Sequence, residues 1–269
     1  MQQRPDVAGV FDRAAATYDQ VGVELFGPTA ELLLSELQVR AGERVLDVGC
    51  GRGAVLLRAA RLAGRADGVD LSPGMVAAAR QLAAEASLDV DVRVDDAMRP
   101  AGPPGAYDVV ASSLVLFFLP DPAAALQAWR QLLAPGGRLG VTTFGDMDAD
   151  FRAVDALVMA RLPGGTADAR TTGRRGPFAS DEGVAQLVGA AGFDDVRTVS
   201  QVVPVRFDDE EHWYRWSWST GQRAAWENVP AGDRPALRAE AGQLLRGCRR
   251  SDGRLGFDQV VRCTLAVRS

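Results

Sequence analysis

A doubly wound α/β sheet is the architecture this sequence predicts, on three observations. Apolar runs with strand character alternate with helical segments from Arg44 to Phe144, which implies a parallel sheet with helices on both faces. Val45-Leu46-Asp47-Val48 runs straight into glycines at alternate positions, Gly49, Gly51 and Gly53, the composition of a strand that feeds a tight turn and opens a helix. Ser72-Pro73 and Asp121-Pro122 each place a capping side chain before a proline at the first helical position.

The elements follow in order. Residues 1–38 read as helical, with Leu32, Leu33 and Leu37 on one apolar face. The first strand ends in the glycine turn, and a helix runs over about residues 54–63. Gly68-Val69-Asp70-Leu71-Ser72 is a second strand ending in an acid. Residues 90–94 alternate apolar and polar side chains, as a half-buried strand does, and lead into Asp95-Asp96-Ala97. Residues 107–113 form a fourth strand. Pro135-Gly136-Gly137 is a turn before a fifth, over 138–144. Residues 163–177, rich in Gly, Thr and Arg, form a long loop of the kind that is either a lid or disordered. A helix over 181–191 ends at Gly192. Strands over about 196–207 and 257–267 close the pattern, with helical segments near 210–221 and 233–247 between them.

The chain of 269 residues is 47% apolar, enough for one large domain or a domain with an insert. A net charge of −5 and dispersed arginines argue against a general nucleic-acid binder, which needs a basic face. The adjacent pairs Arg174-Arg175 and Arg249-Arg250 read as solvated surface. All 30 basic residues are arginine, so Schiff-base, P-loop and kinase chemistry lack their lysine. The absence of lysine and isoleucine also suggests a GC-rich, bacterial coding sequence. One histidine rules out His-rich metal sites, and Cys50, Cys248 and Cys263 lack zinc spacing, so no metal is expected. The cysteine usage and the lack of a signal-peptide pattern after Met1 fit a reduced, cytoplasmic setting. The longest apolar stretch, 109–119, is interrupted by Ser112-Ser113 and is too short to span a bilayer.

Alternate glycines let a backbone approach a ligand, and the N-terminus of the following helix aims free N–H groups at it. The turn therefore points to a nucleotide-like cofactor. Gly49 to Ala54 fits the dinucleotide pattern G-x-G-x-x-A, but Asp47 would set a carboxylate against a pyrophosphate. S-adenosylmethionine has no phosphate and carries a sulfonium and an α-ammonium, which suit a buried acid. Asp70 lies 23 residues after Asp47, near the spacing at which an acid meets ribose hydroxyls with either cofactor. An acid after the third strand can accept from an adenine amine. Ligands of such sheets sit at the carboxyl ends of the strands, which gathers Asp47, Asp70, Asp96 and Ser113 around one crevice.

Six motifs then occur in order: residues 11–19 (FDRAAATYD), 45–53, Val69-Asp70-Leu71-Ser72, Asp95-Asp96-Ala97, residues 107–119, and Leu132-Leu133-Ala134-Pro135-Gly136-Gly137. With them the chain resembles a class I S-adenosylmethionine-dependent methyltransferase, of the small-molecule branch that includes ubiquinone/menaquinone-type and bacterial natural-product tailoring enzymes. The resemblance covers about residues 10–145. It implies a Rossmann-like seven-stranded sheet whose last strand is antiparallel. It also implies that Asp47, Gly49, Cys50 and Gly51 hold the methionine end and Asp70 the ribose, with S-adenosylhomocysteine as product. Asp96 and Ala97 fall at the adenine with Met75 packed on its ring, Leu71 is a further cofactor contact, Ser113 and Leu114 fall at the methyl-bearing end, and Tyr18 lies on an N-terminal helix closing over the cofactor. Cys50 itself reads as a turn residue rather than a nucleophile.

That family usually joins its last two strands closely, whereas here residues 208–256 intervene. The expected organisation is an N-terminal lid (1–40), a core (41–207 and 257–269) and a helical cap (208–256). Four of five tryptophans fall in the cap, among them Trp213 and Trp216 on one helical face. They read as core packing, as the wall of a pocket for a planar or apolar acceptor, or as a dimer or membrane-surface contact. Trp213, Trp216, Phe117 and Phe118 are the candidate acceptor contacts. One of the two phenylalanines is expected to face the pocket and the other the core. His212 is the sole imidazole and by ordinary pKa the most suitable general base, with Tyr18, Asp146 and Glu211 behind it. The expected partner is a small-molecule acceptor, the chain being a monomer or homodimer with no nucleic acid and no integral membrane association. Methyl transfer to O, N or C is the first reading. A fold relative catalysing cyclisation, a non-catalytic cofactor-binding module and a nicotinamide oxidoreductase are the alternatives.

Overall fold

A computed structural model describes residues 7–162 and 175–269, so the loop expected over 163–177 lies almost wholly outside the described residues. Seven strands form one sheet: β1 (Val45–Val48), β2 (Ala66–Asp70), β3 (Val90–Val94), β4 (Tyr107–Ser113), β5 (Leu133–Met147), β6 (Asp194–Phe207) and β7 (Leu255–Val267), in the order β3-β2-β1-β4-β5-β7-β6. The pairings β1–β2, β1–β4, β2–β3 and β4–β5 are parallel. β7 runs antiparallel between β5 and β6. The order reverses between β1 and β4, the point at which an open α/β sheet presents its ligand crevice.

Strand alternation sends side chains to two cores. Val45, Val109 and Ala111 bury with α2 (Phe26–Leu37), α3 (Leu56–Ala63) and α4 (Pro73–Glu85). Leu46, Val48 and Val110 bury with α5 (Pro122–Leu132) and α7 (Asp181–Ala190), whose largest core side chain is Trp129. Both expected caps form. Ser72 Oγ accepts from the Met75 amide at 3.1 Å and Asp121 Oδ1 from the Ala124 amide at 2.9 Å, each followed by proline. A third core joins α6 (Ala149–Met159) to α8 (Glu210–Trp218), α9 (Arg223–Asn228) and α10 (Arg234–Arg246), the three helices between β6 and β7.

The structure corrects several sequence expectations. The N-terminal region is not helical throughout. α1 (Val7–Ala14) stops, and Asp19 (φ 56) and Gly22 (φ 77) take left-handed backbone before α2 begins. β5 starts at Leu133, so Pro135-Gly136-Gly137 lies within the strand, as a kink with Gly136 at φ 77 rather than a separate turn. α3 begins at Leu56, two residues late, because the glycine turn runs on through Gly53 (φ 98). α6 and α9 have no counterpart in the sequence reading, and α9, at six residues, is too short to show a helical period.

Candidate cofactor and acceptor site

The glycine turn is pulled under the end of β2: the Gly49 and Cys50 amides both donate to the Val69 carbonyl, at 2.8 and 2.9 Å. Its glycines serve different ends. A Cβ on Gly49 would stand 2.4 Å from Val115 Cγ2, whereas a Cβ on Gly51 would meet nothing within 4 Å. Gly49 is therefore fixed by packing, and Gly51 opens onto free space. Asp47 lies beneath, 1% exposed. Its Oδ2 accepts from the Leu56 amide at 2.9 Å, and its Oδ1 is buried with no hydrogen-bond partner among the described residues. Burial pushes its carboxyl up to about 7, the Leu56 N–H opposes this, and the charge of Asp70 adds to it. A buried acid with one vacant oxygen is suited to a cationic N–H donor. Cys50 is buried, and burial together with Asp47 and Asp70 raises its thiol far above the usual range, which makes it inert as a nucleophile.

Asp70 closes the turn from the other side. Its Oδ2 accepts from the Gly51 amide and its Oδ1 from the Ser72 amide, both at 2.9 Å. Burial raises its carboxyl, and those N–H groups work against the rise. Leu71 follows with its side chain 52% exposed, an apolar surface beside the turn. Val94, opposite Asp70 in the β2–β3 register, is likewise exposed; sequence reading did not single it out. Met75 is buried in the interior, with almost no surface left for a ligand ring. Of the paired acids after β3, Asp95 is consumed in holding its own turn, accepting from the Asp96 and Ala101 amides at 2.8 Å each. Asp96 is exposed, and its Oδ1 accepts from the Met98 amide at 2.8 Å. Trp129 reaches up from α5 to donate to the Ala97 carbonyl at 2.7 Å, which fixes the height of this turn over the sheet.

At the end of β4, Ser113 Oγ and Thr142 Oγ1 are 3.0 Å apart, and Thr142 Oγ1 also accepts from the Leu114 amide at 3.1 Å. Leu114 is held at φ 58, a left-handed conformation that costs a leucine roughly 1–2 kcal/mol and clusters at functional sites. Phe117 turns into the core and Phe118 is half-buried. Phe118 packs 5.4 Å from Phe11, Phe11 5.9 Å from Tyr18, and Tyr18 stacks on Phe26 at 4.7 Å. These four rings form one aromatic wall. Phe11 and Phe26 escaped sequence analysis as wall members because their relation to Phe118 is purely tertiary. Burial, then the charges of Asp19 and Asp70, raise the Tyr18 hydroxyl well above its usual range, so it remains a proton donor.

α1 is fastened over this crevice. Asp12 Oδ1 accepts from Ser72 Oγ at 2.8 Å and from the Gly74 amide at 2.7 Å, and Arg52 Nη1 donates to the Ala15 carbonyl at 2.5 Å. The cap closes from behind: Arg13 on α1 pairs with Glu227 on α9 at 2.6 Å.

His212 is built into this scaffold rather than presented to it. The imidazole is buried, Nδ1 lies 3.2 Å from both the amide and the carboxylate Oδ2 of Asp208, and Nε2 lies 2.7 Å from the Val21 carbonyl. With Nε2 donating to a carbonyl and Nδ1 engaged by Asp208, the ring has no free lone pair for an acceptor's proton, so the geometry makes His212 a brace and does not carry the general-base expectation. Trp213 and Trp216 likewise sit inside the cap core, Trp216 5.2 Å from Phe207 and Trp213 6.1 Å from Trp226. Neither presents an exposed ring face as a pocket wall would.

Comparison with known proteins agrees with this geometry. A family model described as a methyltransferase domain matches residues 45–137. The chain is 38% identical over 245 residues to the nocamycin O-methyltransferase of Saccharothrix syringae, covering 86% of this chain and 88% of that one. It is 40% identical over 144 residues to the aklanonic acid methyltransferase DauC of Streptomyces sp. strain C5, covering 52% of this chain and 66% of that protein. The crystal structure of the YcgJ protein from Bacillus subtilis superposes with a TM-score of 0.63 at 18% identity, over 90% of this chain and 98% of that one, a likeness of fold. Alternation of strand and helix, an acid under an open glycine turn and a full-length relative lead to one conclusion: the chain belongs to the class I S-adenosylmethionine-dependent methyltransferases, in their small-molecule branch.

Proposed function

We propose that this enzyme methylates an acidic hydroxyl on a small apolar or aromatic metabolite. The observation that carries the cofactor half of this reading is Asp47 Oδ1, a buried acceptor with no partner among the described residues, at the end of the strand that feeds the open turn at Gly51. Asp47 would take the cofactor's ammonium, and the backbone at Gly49, Cys50 and Gly51 its methionine end. Asp70, whose oxygens keep lone pairs beyond the two amides, would take the ribose. Leu71 and Val94 would pack on the adenine, with Asp96 and Ala97 at its edge. Ser113 and Leu114 would border the reacting end. When bound, S-adenosylmethionine supplies a methyl group on a sulfonium.

The chain's own contribution is alignment and exclusion of water. Phe11, Tyr18, Phe26 and Phe118 would orient the acceptor, and correct alignment alone is worth up to roughly 7–11 kcal/mol. With the imidazole of His212 engaged on both nitrogens, no side chain takes the acceptor's proton in this reading. A phenol, enol or carboxylic acid that ionises by itself fits best. Oxygen as the methylated atom is supported by the name of the nocamycin relative. Residues 1–40 would act as lid, 41–207 and 257–269 as cofactor core and 208–256 as cap. Bacterial relatives and three reduced, buried cysteines support a bacterial, cytoplasmic enzyme, as a monomer or homodimer without nucleic-acid partners.

Calorimetry with S-adenosylhomocysteine, followed by mass spectrometry of phenol, enol and carboxylic-acid panels incubated with S-adenosylmethionine, tests the proposal. Binding together with methylation of ionisable hydroxyls is the expected result. Methylation confined to amines or carbon would overturn the oxygen assignment.

A further inference from the structure

Two serines end β4, and their hydroxyls have different fates. Ser112 is buried, and its Oγ donates to the Val48 carbonyl at 2.8 Å, so its hydrogen is spent. Ser113 points to the opposite face of the sheet and is half-buried. Its Oγ has one hydrogen-bond partner among the described residues, Thr142 Oγ1 at 3.0 Å, on the register partner in β5.

Thr142 settles which hydroxyl donates. It is fully buried, and its Oγ1 accepts from the Leu114 amide at 3.1 Å, an amide shared with the Thr142 carbonyl at the same distance. An N–H only donates, so this contact occupies a lone pair of Oγ1 and leaves its hydrogen to be placed. Among the described residues Ser113 Oγ is the acceptor it has. Turned elsewhere, that hydrogen would be orphaned in the interior, which buried polar groups rarely tolerate. Thr142 therefore donates to Ser113, and the Ser113 hydrogen has no acceptor among the described residues. The chain runs from the Leu114 N–H through the Thr142 O–H to the Ser113 O–H, each bond polarising the next.

The register places this hydrogen at the ligand crevice. Ala111 is the partner of Asp47 across β1 and β4, and Ser113 follows Ala111 by two residues. Ser113 thus stands one pleat beyond Asp47 on the same face, roughly 8 Å away by strand spacing. Just after it, Leu114 at φ 58 turns the chain so that Val115 lies against Gly49 of the cofactor turn.

We propose that Ser113 donates a hydrogen bond to an anionic oxygen at the reacting end, and that Thr142 is the positioning residue that turns its hydrogen outward. Two oxygens have this chemistry, the ionised hydroxyl of the acceptor and the α-carboxylate of the cofactor. On the acceptor, such a donor favours the ionised form, which a site without a general base requires. This inference rests on the cofactor reading above.

The test uses the full-length enzyme and two probes. S-adenosylhomocysteine and its decarboxylated analogue differ only in the α-carboxylate. 4-Nitrophenol, added to the S-adenosylhomocysteine complex, shows by its visible phenolate band how far it ionises when bound. Wild type should bind S-adenosylhomocysteine at least tenfold more tightly than the decarboxylated analogue, or ionise bound 4-nitrophenol about one pH unit lower than in water; either response amounts to one hydrogen bond to a charged group. The probe that responds identifies the oxygen. Ser113→Ala and Thr142→Val should each reduce that response about tenfold, and Thr142→Ser, which keeps the hydroxyl, should retain it. Circular dichroism checks folding, and Thr142→Ala replaces the valine variant if that one does not fold. A merely structural Thr142 would lower stability and leave both responses unchanged. Absence of both responses in wild type, or full survival of the response in Ser113→Ala, overturns the donor. Loss in Ser113→Ala with survival in Thr142→Val overturns the part played by Thr142. Failure of wild type to bind S-adenosylhomocysteine would instead remove the cofactor reading, so the failures are distinguishable.

Discussion

Asp12 and Gly74 are joined by a 2.7 Å hydrogen bond that fastens the N-terminal helix to the first turn of α4. The same carboxylate oxygen takes the hydroxyl of Ser72, the cap of that helix, so one acid holds α1 and the start of α4 together. The Gly74 N–H, then the Ser72 hydroxyl, keep the Asp12 carboxyl below its usual range.

Asp12→Ala should therefore release the lid without touching the cofactor turn. Stopped-flow dissociation of S-adenosylhomocysteine should accelerate severalfold while the far-UV circular dichroism spectrum stays unchanged. Because the folded carboxyl titrates below the unfolded one, this contribution is present at neutral pH and is lost as pH falls through the acid range. An unchanged dissociation rate would detach Asp12 from lid closure.

Asp47 gives a pH dependence of opposite sign. Its carboxyl is raised from 3.8 to about 7, so the folded protein without cofactor loses stability as pH rises across that window. Asp47→Asn should melt higher than wild type above pH 7, by about 1–3 kcal/mol, with the advantage vanishing near pH 4. Cofactor binding should show the reverse. An ammonium partner favours the ionised acid, so wild-type affinity should fall as pH drops below about 7. The asparagine variant should bind roughly 1.5–3 kcal/mol more weakly with that pH dependence gone. Calorimetry across pH 5 to 9 reads both effects.

Two glycines of one turn should respond differently to alanine. Gly51→Ala meets no atom within 4 Å, so it should fold with a penalty of roughly 1–2 kcal/mol from its left-handed backbone, yet lose cofactor affinity tenfold or more. Gly49→Ala drives a methyl into Val115 and should chiefly lower the melting temperature. Equal cofactor affinity in Gly51→Ala and wild type would place the ligand elsewhere.

His212→Ala separates a brace from a base. It leaves the Asp208 amide and the Val21 carbonyl without their partner, which should cost about 1–3 kcal/mol of stability. Turnover per folded molecule, measured below the melting transition with any accepted hydroxyl substrate, should stay within a few-fold of wild type. A loss of several orders of magnitude with intact folding would restore the general-base role.

The cofactor half of the protein was legible in one dimension because it is local. Val45 to Gly53 contains strand, acid and turn within a few residues, and Ser72-Pro73 and Asp121-Pro122 carry their own helix starts. Backbone sterics and capping act over three or four positions, so spacing alone reveals them. The aromatic wall and the helices between β6 and β7 are assembled from distant parts of the chain. Phe11, Phe26 and Phe118 become one wall only when α1 is pinned by Asp12, and Gln222 is oriented by Asp155 from a helix 67 residues earlier. His212 shows the same limit from the other direction. Its residue type suggested chemistry, but its Nε2 is taken by Val21, 191 residues away. Sequence determined what cofactor is bound, through short-range geometry; tertiary packing alone decided which side chains stand together around the crevice and which are locked into the scaffold.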